Sequence, residues 1–130
     1  MRNFQIFIAA LILLLIACES NETADNKGIE ASEPVTLINQ TGKQLFDANC
    51  RSCHQPDKPA TGPALKGVIH RAPGKEWIYQ FVHNPAKLIS EGDKYANEVY
   101  TNFGKTAMTS FPNLSNADID SIMVYCGGYE

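Results

Sequence analysis

Cys50-Arg51-Ser52-Cys53-His54 places two thiols three residues apart, with a histidine directly after the second. This order is the attachment signature of a c-type haem. The thiols add across the porphyrin vinyl groups and become thioethers, and the imidazole of His54 can then reach the iron from one side of the ring. Simpler readings of the motif explain less. A structural zinc site needs two more clustered ligands, and the remaining candidates, Cys126, His70 and His83, are scattered along the chain. A thioredoxin-like dithiol sits in a βαβ pattern, and none is visible. A Cys50–Cys53 disulfide would account for nothing else in the sequence.

On either side of the motif, apolar residues recur at helical spacing and no alternating strand pattern appears. Towards the N-terminus, a first helix is expected from about Asn39 to Cys50, with Leu45 and Phe46 facing inward. Gly42 inside it costs up to about 1 kcal/mol relative to alanine, which suggests close approach by another helix. The run Gln55 to Arg71 holds Pro56, Pro59, Gly62, Pro63 and Gly67 and reads as loop. Trp77, Ile78 and Phe81 predict a helix over Lys75 to Val82, stopped by Asn84-Pro85. Tyr95, Ala96, Val99, Tyr100 and Phe103 predict another over roughly Asp93 to Phe103, with Gly104 as its stop. The last helix starts at Ser115, whose pairing with Asp118 resembles a capping box. It carries Ile119, Ile122, Met123 and Cys126 on one stripe, with Tyr125 beside it, and ends at Gly127-Gly128. The expectation is an all-α domain of about four helices over residues 39–130, small enough to gain from a covalently held apolar cofactor.

The N-terminus is Met1-Arg2-Asn3 followed by a run from Phe4 to Ala17 in which Gln5 is the polar exception. It is short for a membrane-spanning helix and fits a secretory signal over residues 1–17. Leu15-Ile16-Ala17-Cys18 resembles a bacterial lipobox. That resemblance implies cleavage before Cys18 and lipid on its sulfur, and several acyl chains hold a protein at a membrane stably. An uncleaved N-terminal anchor is the alternative. Either way, the chain is expected at the periplasmic or extracytoplasmic face of a bacterial membrane, where a c-type haem is attached. The cysteines then divide without a structural disulfide: Cys18 takes lipid, Cys50 and Cys53 take haem, and Cys126 remains. On the apolar stripe, Cys126 reads as a small buried hydrophobe, with a reactive thiol or an intermolecular disulfide as the sharper alternative.

Residues 18–38 read as a polar, disordered tether. Glu19, Glu22, Asp25, Glu30 and Glu33 face only Lys27 there, whereas Pro34 to Glu130 carries nine acidic and nine basic residues. With no basic excess to neutralise phosphates, nucleic-acid binding has no support. A coil of this length spans roughly 20–25 Å, enough to confine the domain near membrane-bound partners.

The residues from Gln40 to Tyr125 together resemble a class I monohaem cytochrome c. The resemblance rests on Gly42 and Phe46, the haem motif, Gly62-Pro63-Ala64-Leu65, and the run from Met108 through Phe111-Pro112-Asn113-Leu114-Ser115 to Tyr125. It implies one covalent haem c, a Pro63 carbonyl bonded to His54, a helix crossing at Gly42, Phe46 and Tyr125, and Met108 as the second axial ligand. Met123, His70 and His83 are the other candidates for that position, and either histidine would give a lower potential. Trp77 and Arg71 are candidates for the haem propionates. Met/His ligation leaves no open position on the iron, and no triad, phosphate loop or paired-carboxylate cleft is visible. The expected role is therefore not an enzyme but a one-electron carrier in a respiratory-type chain, a monomer that docks transiently on membrane-bound redox partners. Lys58, Lys66 and Lys105 are candidates to meet an acidic partner. Two other readings stand beside it: a haem subunit of a larger respiratory or dehydrogenase complex, and a haem-based sensor of small ligands if Met108 is labile.

Overall fold

A computed structural model describes residues 33–130. The expected signal segment, Cys18 and most of the tether lie outside the described residues. Within them the chain forms five α-helices: α1 Glu33–Asn49, α2 Lys75–His83, α3 Pro85–Ser90, α4 Lys94–Asn102 and α5 Asn116–Tyr125. A 3-10 turn, Val68–His70, sits between α1 and α2. The described residues contain no strand, and none of their helices is long and apolar enough to cross a membrane.

Helix α1 starts six residues before the expected Asn39. Pro34 is compatible with this start because its missing N–H falls in the first turn, where no intrahelical partner exists. Leu37 and Ile38 remain 61% and 43% exposed. This end of the helix therefore shows no buried face from which apolar periodicity could have announced it.

Farther along α1, Gly42 meets α5. A Cβ built there would lie 1.9 Å from the Ser121 carbonyl oxygen and 3.0 Å from Tyr125 Cβ, so only glycine permits this approach. One turn on, the Phe46 and Tyr125 rings pack at a 5.5 Å centroid distance. Phe46, Ile122 and Cys126 form one buried cluster, and Ile78, Ile119 and Met123 form a second. Helix α5 contributes to both, and so joins the α1 crossing to α2.

Helix α5 is closed at both ends. Ser115 and Asp118 satisfy each other's backbone N–H groups in a capping box. At the far end, Gly127 takes a left-handed φ of 64°, and the Gly127 and Gly128 amides donate to the Val124 and Met123 carbonyls. This is a Schellman ending. The tail then pairs with the loop after the haem motif, where the Gly67 and Ile69 amides donate to the Gly127 and Gly128 carbonyls. Asp120 accepts bonds from Lys75, Tyr79 and Tyr129, tying α2, α5 and the tail together.

The sequence reading stops a helix at Asn84-Pro85, and α2 does end there. The same pair also starts α3. The Asn84 side chain accepts from the Lys87 amide, and Pro85 occupies the first turn. An N-cap followed by proline is a start signal as well as a stop.

Candidate haem site

The local fold brings the haem motif to the end of α1. The Cys50 and Arg51 amides both donate to Phe46 O, and the His54 amide returns to Cys50 O at 2.9 Å. This tight turn gathers Cys50, Cys53 and His54 on one rim of a cleft. The cleft comprises two adjoining voids of about 760 and 740 Å³, counting space open to solvent. Cys50, His54, Pro63, Phe81, Val99, Met108 and Phe111 line both. Before haem is attached, burial, then the neighbouring Cys53, pushes the Cys50 thiol up to about 11.

His54 is fixed by the loop that follows it. Its Nδ1 donates to the Pro63 carbonyl at 2.8 Å, which commits that nitrogen and leaves Nε2 for a metal. Gly62 makes room for the ring: a Cβ there would fall 2.4 Å from Cε1 and 2.9 Å from each ring nitrogen. The Gly62 amide donates to Cys53 O, and the Leu65 and Lys66 amides donate to Gln55 O and Pro56 O, so the loop folds back on the motif.

Met108 reaches the same cleft from the loop between α4 and α5. Gly104 stops α4 with φ 68°, and Lys105 follows in the left-handed region at φ 57°. The Lys105 amide is held by Tyr100 O at 2.8 Å. Met123, His70 and His83 compete for the same role in sequence, and the structure separates them. Met123 is buried in the α2/α5 cluster and touches only the second void. His70 is exposed on the 3-10 turn. The His83 ring bonds the Leu114 carbonyl at 2.8 Å. Neither histidine lines either void.

Trp77 and Arg71 also part ways. Trp77 lines the second void, stacked on Phe81 at 4.7 Å and edge-on to Tyr95 at 5.0 Å. Its Nε1–H is buried without a protein partner, a costly state for an indole donor. Arg71 is exposed, lines neither void, and donates to the Ala64 and Lys66 carbonyls at 2.6 and 2.7 Å. It braces the loop that carries Pro63.

These features fit a haem. Aromatic and aliphatic walls suit a large apolar ring, two thiols stand at the rim, and Trp77, whose buried Nε1–H has no protein partner, lines the second void. A family model for cytochrome c matches residues 40–126. The chain belongs to the cytochrome c family. Its haem c is covalent, and Cys50 and Cys53 with His54 form the attachment motif. A solved cytochrome c from Rhodothermus marinus is 30% identical with a TM-score of 0.59, covering 70% of this chain and 75% of that one. Two engineered forms of Rhodothermus marinus cytochrome c are each 26% identical, one bound to a carbene intermediate, with TM-scores of 0.55 and 0.57. Each comparison covers 77% of this chain and 84% of the engineered one. No curated protein sequence matches the chain. As a cytochrome c with this fold, the protein is a haem-based electron carrier.

Three features of this cytochrome's cleft escape the sequence reading. Gly62 reads as a loop residue, although its missing Cβ is what admits the His54 ring. Phe81, Val99, Tyr100 and Phe103 show only helical spacing, which signals a buried face without saying whether protein or cofactor covers it. His83 carries no local pattern that would reveal its bond to Leu114, a residue 31 positions away.

Proposed function

We propose that His54 and Met108 are the two axial ligands, and that the protein is a membrane-tethered one-electron carrier of a respiratory-type chain. One observation carries the ligand assignment: His54, with Nδ1 committed to Pro63, and Met108 line the same two voids, which His70 and His83 do not. Haem c, when bound, supplies the Fe(II)/Fe(III) couple. The chain's own residues hold and tune it. Cys50 and Cys53 fix the ring edge at the end of α1, and Pro63 sets the orientation and basicity of the His54 imidazole. The Met108 thioether is a soft donor that favours the ferrous state and raises the potential. Phe81, Val99 and Phe111 keep water from the walls, and Trp77 Nε1 offers a donor to a propionate.

The rim beside Cys53 is polar but uncharged, with Ser52, Thr61, Thr106 and Thr109 exposed. It suits brief docking on a redox partner through a small interface. All three candidate lysines are exposed; Lys66 pairs with Glu130 at 2.9 Å, and Lys58 and Lys105 stand clear of any ion pair among the described residues, open to an acidic partner. Lipid at Cys18 would keep the monomer on the extracytoplasmic side of the membrane. Cys18→Ser should release it into the soluble fraction, and retention on the membrane would refute the lipid anchor.

Absorption spectra of the oxidised and reduced protein, alongside Met108→Ala, test the ligand pair. Low-spin spectra with a weak far-red thioether band, lost in the variant, are expected. A low-spin spectrum indifferent to Met108 would overturn the assignment and point to histidine. A second reading, a sensor of small ligands, draws on the exposed residues either side of Met108. Binding of carbon monoxide to the native reduced protein would favour it.

A further inference from the structure

The Met108 loop is held very unevenly along its length. At its start, the Lys105 amide is bound by α4. From Ala107 to Ser110 no backbone amide has a hydrogen-bond partner among the described residues, and Ala107, Thr109 and Ser110 are exposed. At its end, two bonds from the C-terminus of α2 take hold. The Phe111 amide donates to Val82 O at 3.0 Å, and His83 Nε2 lies 2.8 Å from Leu114 O. A carbonyl can only accept, so the His83 ring donates here. Val82 and His83 are the last two residues of α2, where helix carbonyls lack intrahelical partners. Phe111 lines both voids, and Leu114 packs against both buried clusters.

We infer that His83 is a positioning residue, a latch whose Nε2–H holds the Leu114 carbonyl and thereby keeps Met108 turned into the cleft. The inference rests on Met108 being an axial ligand. The physical reason is mechanical. With Ala107 to Ser110 unbonded, the position of the Met108 sulfur is set by the two ends of the loop. The downstream end is held by one side-chain bond and one backbone bond from α2, together with the Leu114 amide bond to Phe111 O and the packing of Leu114 on both clusters. His83 belongs to neither buried cluster, so removing its side-chain bond is expected to spare them and to loosen the segment that presents the thioether. His83 thus regulates how readily another ligand takes the position of Met108, without itself touching the iron.

The test is displacement of Met108 by added imidazole in the haem-loaded ferric protein, followed by loss of the far-red band, for wild type, His83→Ala, His83→Gln and His83→Asn. Glutamine keeps a donor at the reach of Nε2, and asparagine is one methylene shorter. Expected is imidazole affinity raised roughly 3- to 10-fold in His83→Ala and His83→Asn, the equilibrium worth of one hydrogen bond, with His83→Gln near wild type. The denaturant midpoint should move far less than the affinity. Equal imidazole affinity in wild type and His83→Asn would overturn the latch, and that comparison stands even if His83→Ala fails to load haem. An affinity rise of the same size in His83→Gln as in His83→Ala would also overturn it, because the donor would then be irrelevant. Failure of the underlying ligand assignment looks different: the wild-type protein itself would lack the far-red band.

Discussion

The two sides of the cleft are built on opposite plans. On the His54 side, the ring, the carbonyl that orients it and the glycine that clears space for it lie within ten residues of one another, and backbone bonds fold the loop onto the motif. On the Met108 side, the thioether is carried by an exposed stretch, and bonds from α2 and α4 hold its ends. The first side is rigid because its constraints are local. The second stays adjustable because its constraints are few and distant in sequence. Under the proposed His54/Met108 ligation a carrier gains from this division, with one ligand held locally and the other free to set the potential and the access to the iron.

The largest effect should come from breaking the rigid side. Gly62→Ala puts a Cβ 2.4 Å from His54 Cε1, and neither the ring nor the backbone can give way cheaply. Overpacking of this kind costs about 1–3 kcal/mol or more. The expected outcome is a sharp fall in haem content per chain, with a disturbed low-spin spectrum in what remains. A normal spectrum at normal yield would show that the His54 side is softer than its geometry implies.

Amide exchange sharpens the same contrast without a mutation. The Gly62, Leu65 and Lys66 amides are bonded to the Cys53, Gln55 and Pro56 carbonyls, whereas those of Met108 and Thr109 have no partner among the described residues. In the haem-loaded protein, the first group should exchange at least about 100-fold more slowly, since local opening is easier where backbone bonds are absent. Similar protection in both groups would remove the distinction.

A smaller effect is expected where the Met108 loop enters α5. Ser115→Ala removes the side-chain half of the capping box and should cost about 1 kcal/mol in denaturant unfolding, with haem attachment intact. The Asp118 carboxyl, held below its usual range by the Ser115 hydroxyl and then by the Ser115 backbone, should return towards it in the variant.

The smallest effect lies away from both ligands and serves as a control. Burial pushes the Cys126 thiol up to about 12 from 9.0, so the folded protein keeps its proton where the unfolded chain loses it. Stability should therefore fall as pH rises from about 9 towards 12, with the slope reduced in Cys126→Ala. Tyr129, pushed up to about 12 by burial and then by Asp120, adds a slope of the same sign that Cys126→Ala leaves in place. Native Cys126 should also resist alkylation at neutral pH. Rapid labelling would contradict its burial beside Phe46 and Ile122.

Much of the architecture was legible in the chain because its signals are local. Gly42 announced a close helix crossing, and the structure puts Ser121 and Tyr125 there. Ser115 and Asp118 announced the start of α5, and Gly127-Gly128 its end. Helix α3 was missed because Asn84-Pro85 reads equally as a stop and a start. The first turns of α1 were missed because Leu37 and Ile38 bury little. Arg71 is a candidate propionate partner in the sequence, and only the fold shows its guanidinium bracing the Pro63 loop from an exposed position.

The sequence by itself determined the chemistry: two thiols and an imidazole in fixed order specify covalent haem, because attachment depends on spacing along the chain. It also determined the helical class, because periodicity is a property of neighbours. Tertiary structure alone decided which of the candidate side chains share the cleft with His54: Met108 and Met123 line it, and His70 and His83 do not. That placement of Met108, Met123, His70 and His83 depends on how α2, α4 and α5 pack, and no local spacing encodes the distance to residues 16 to 69 positions from His54 in the chain.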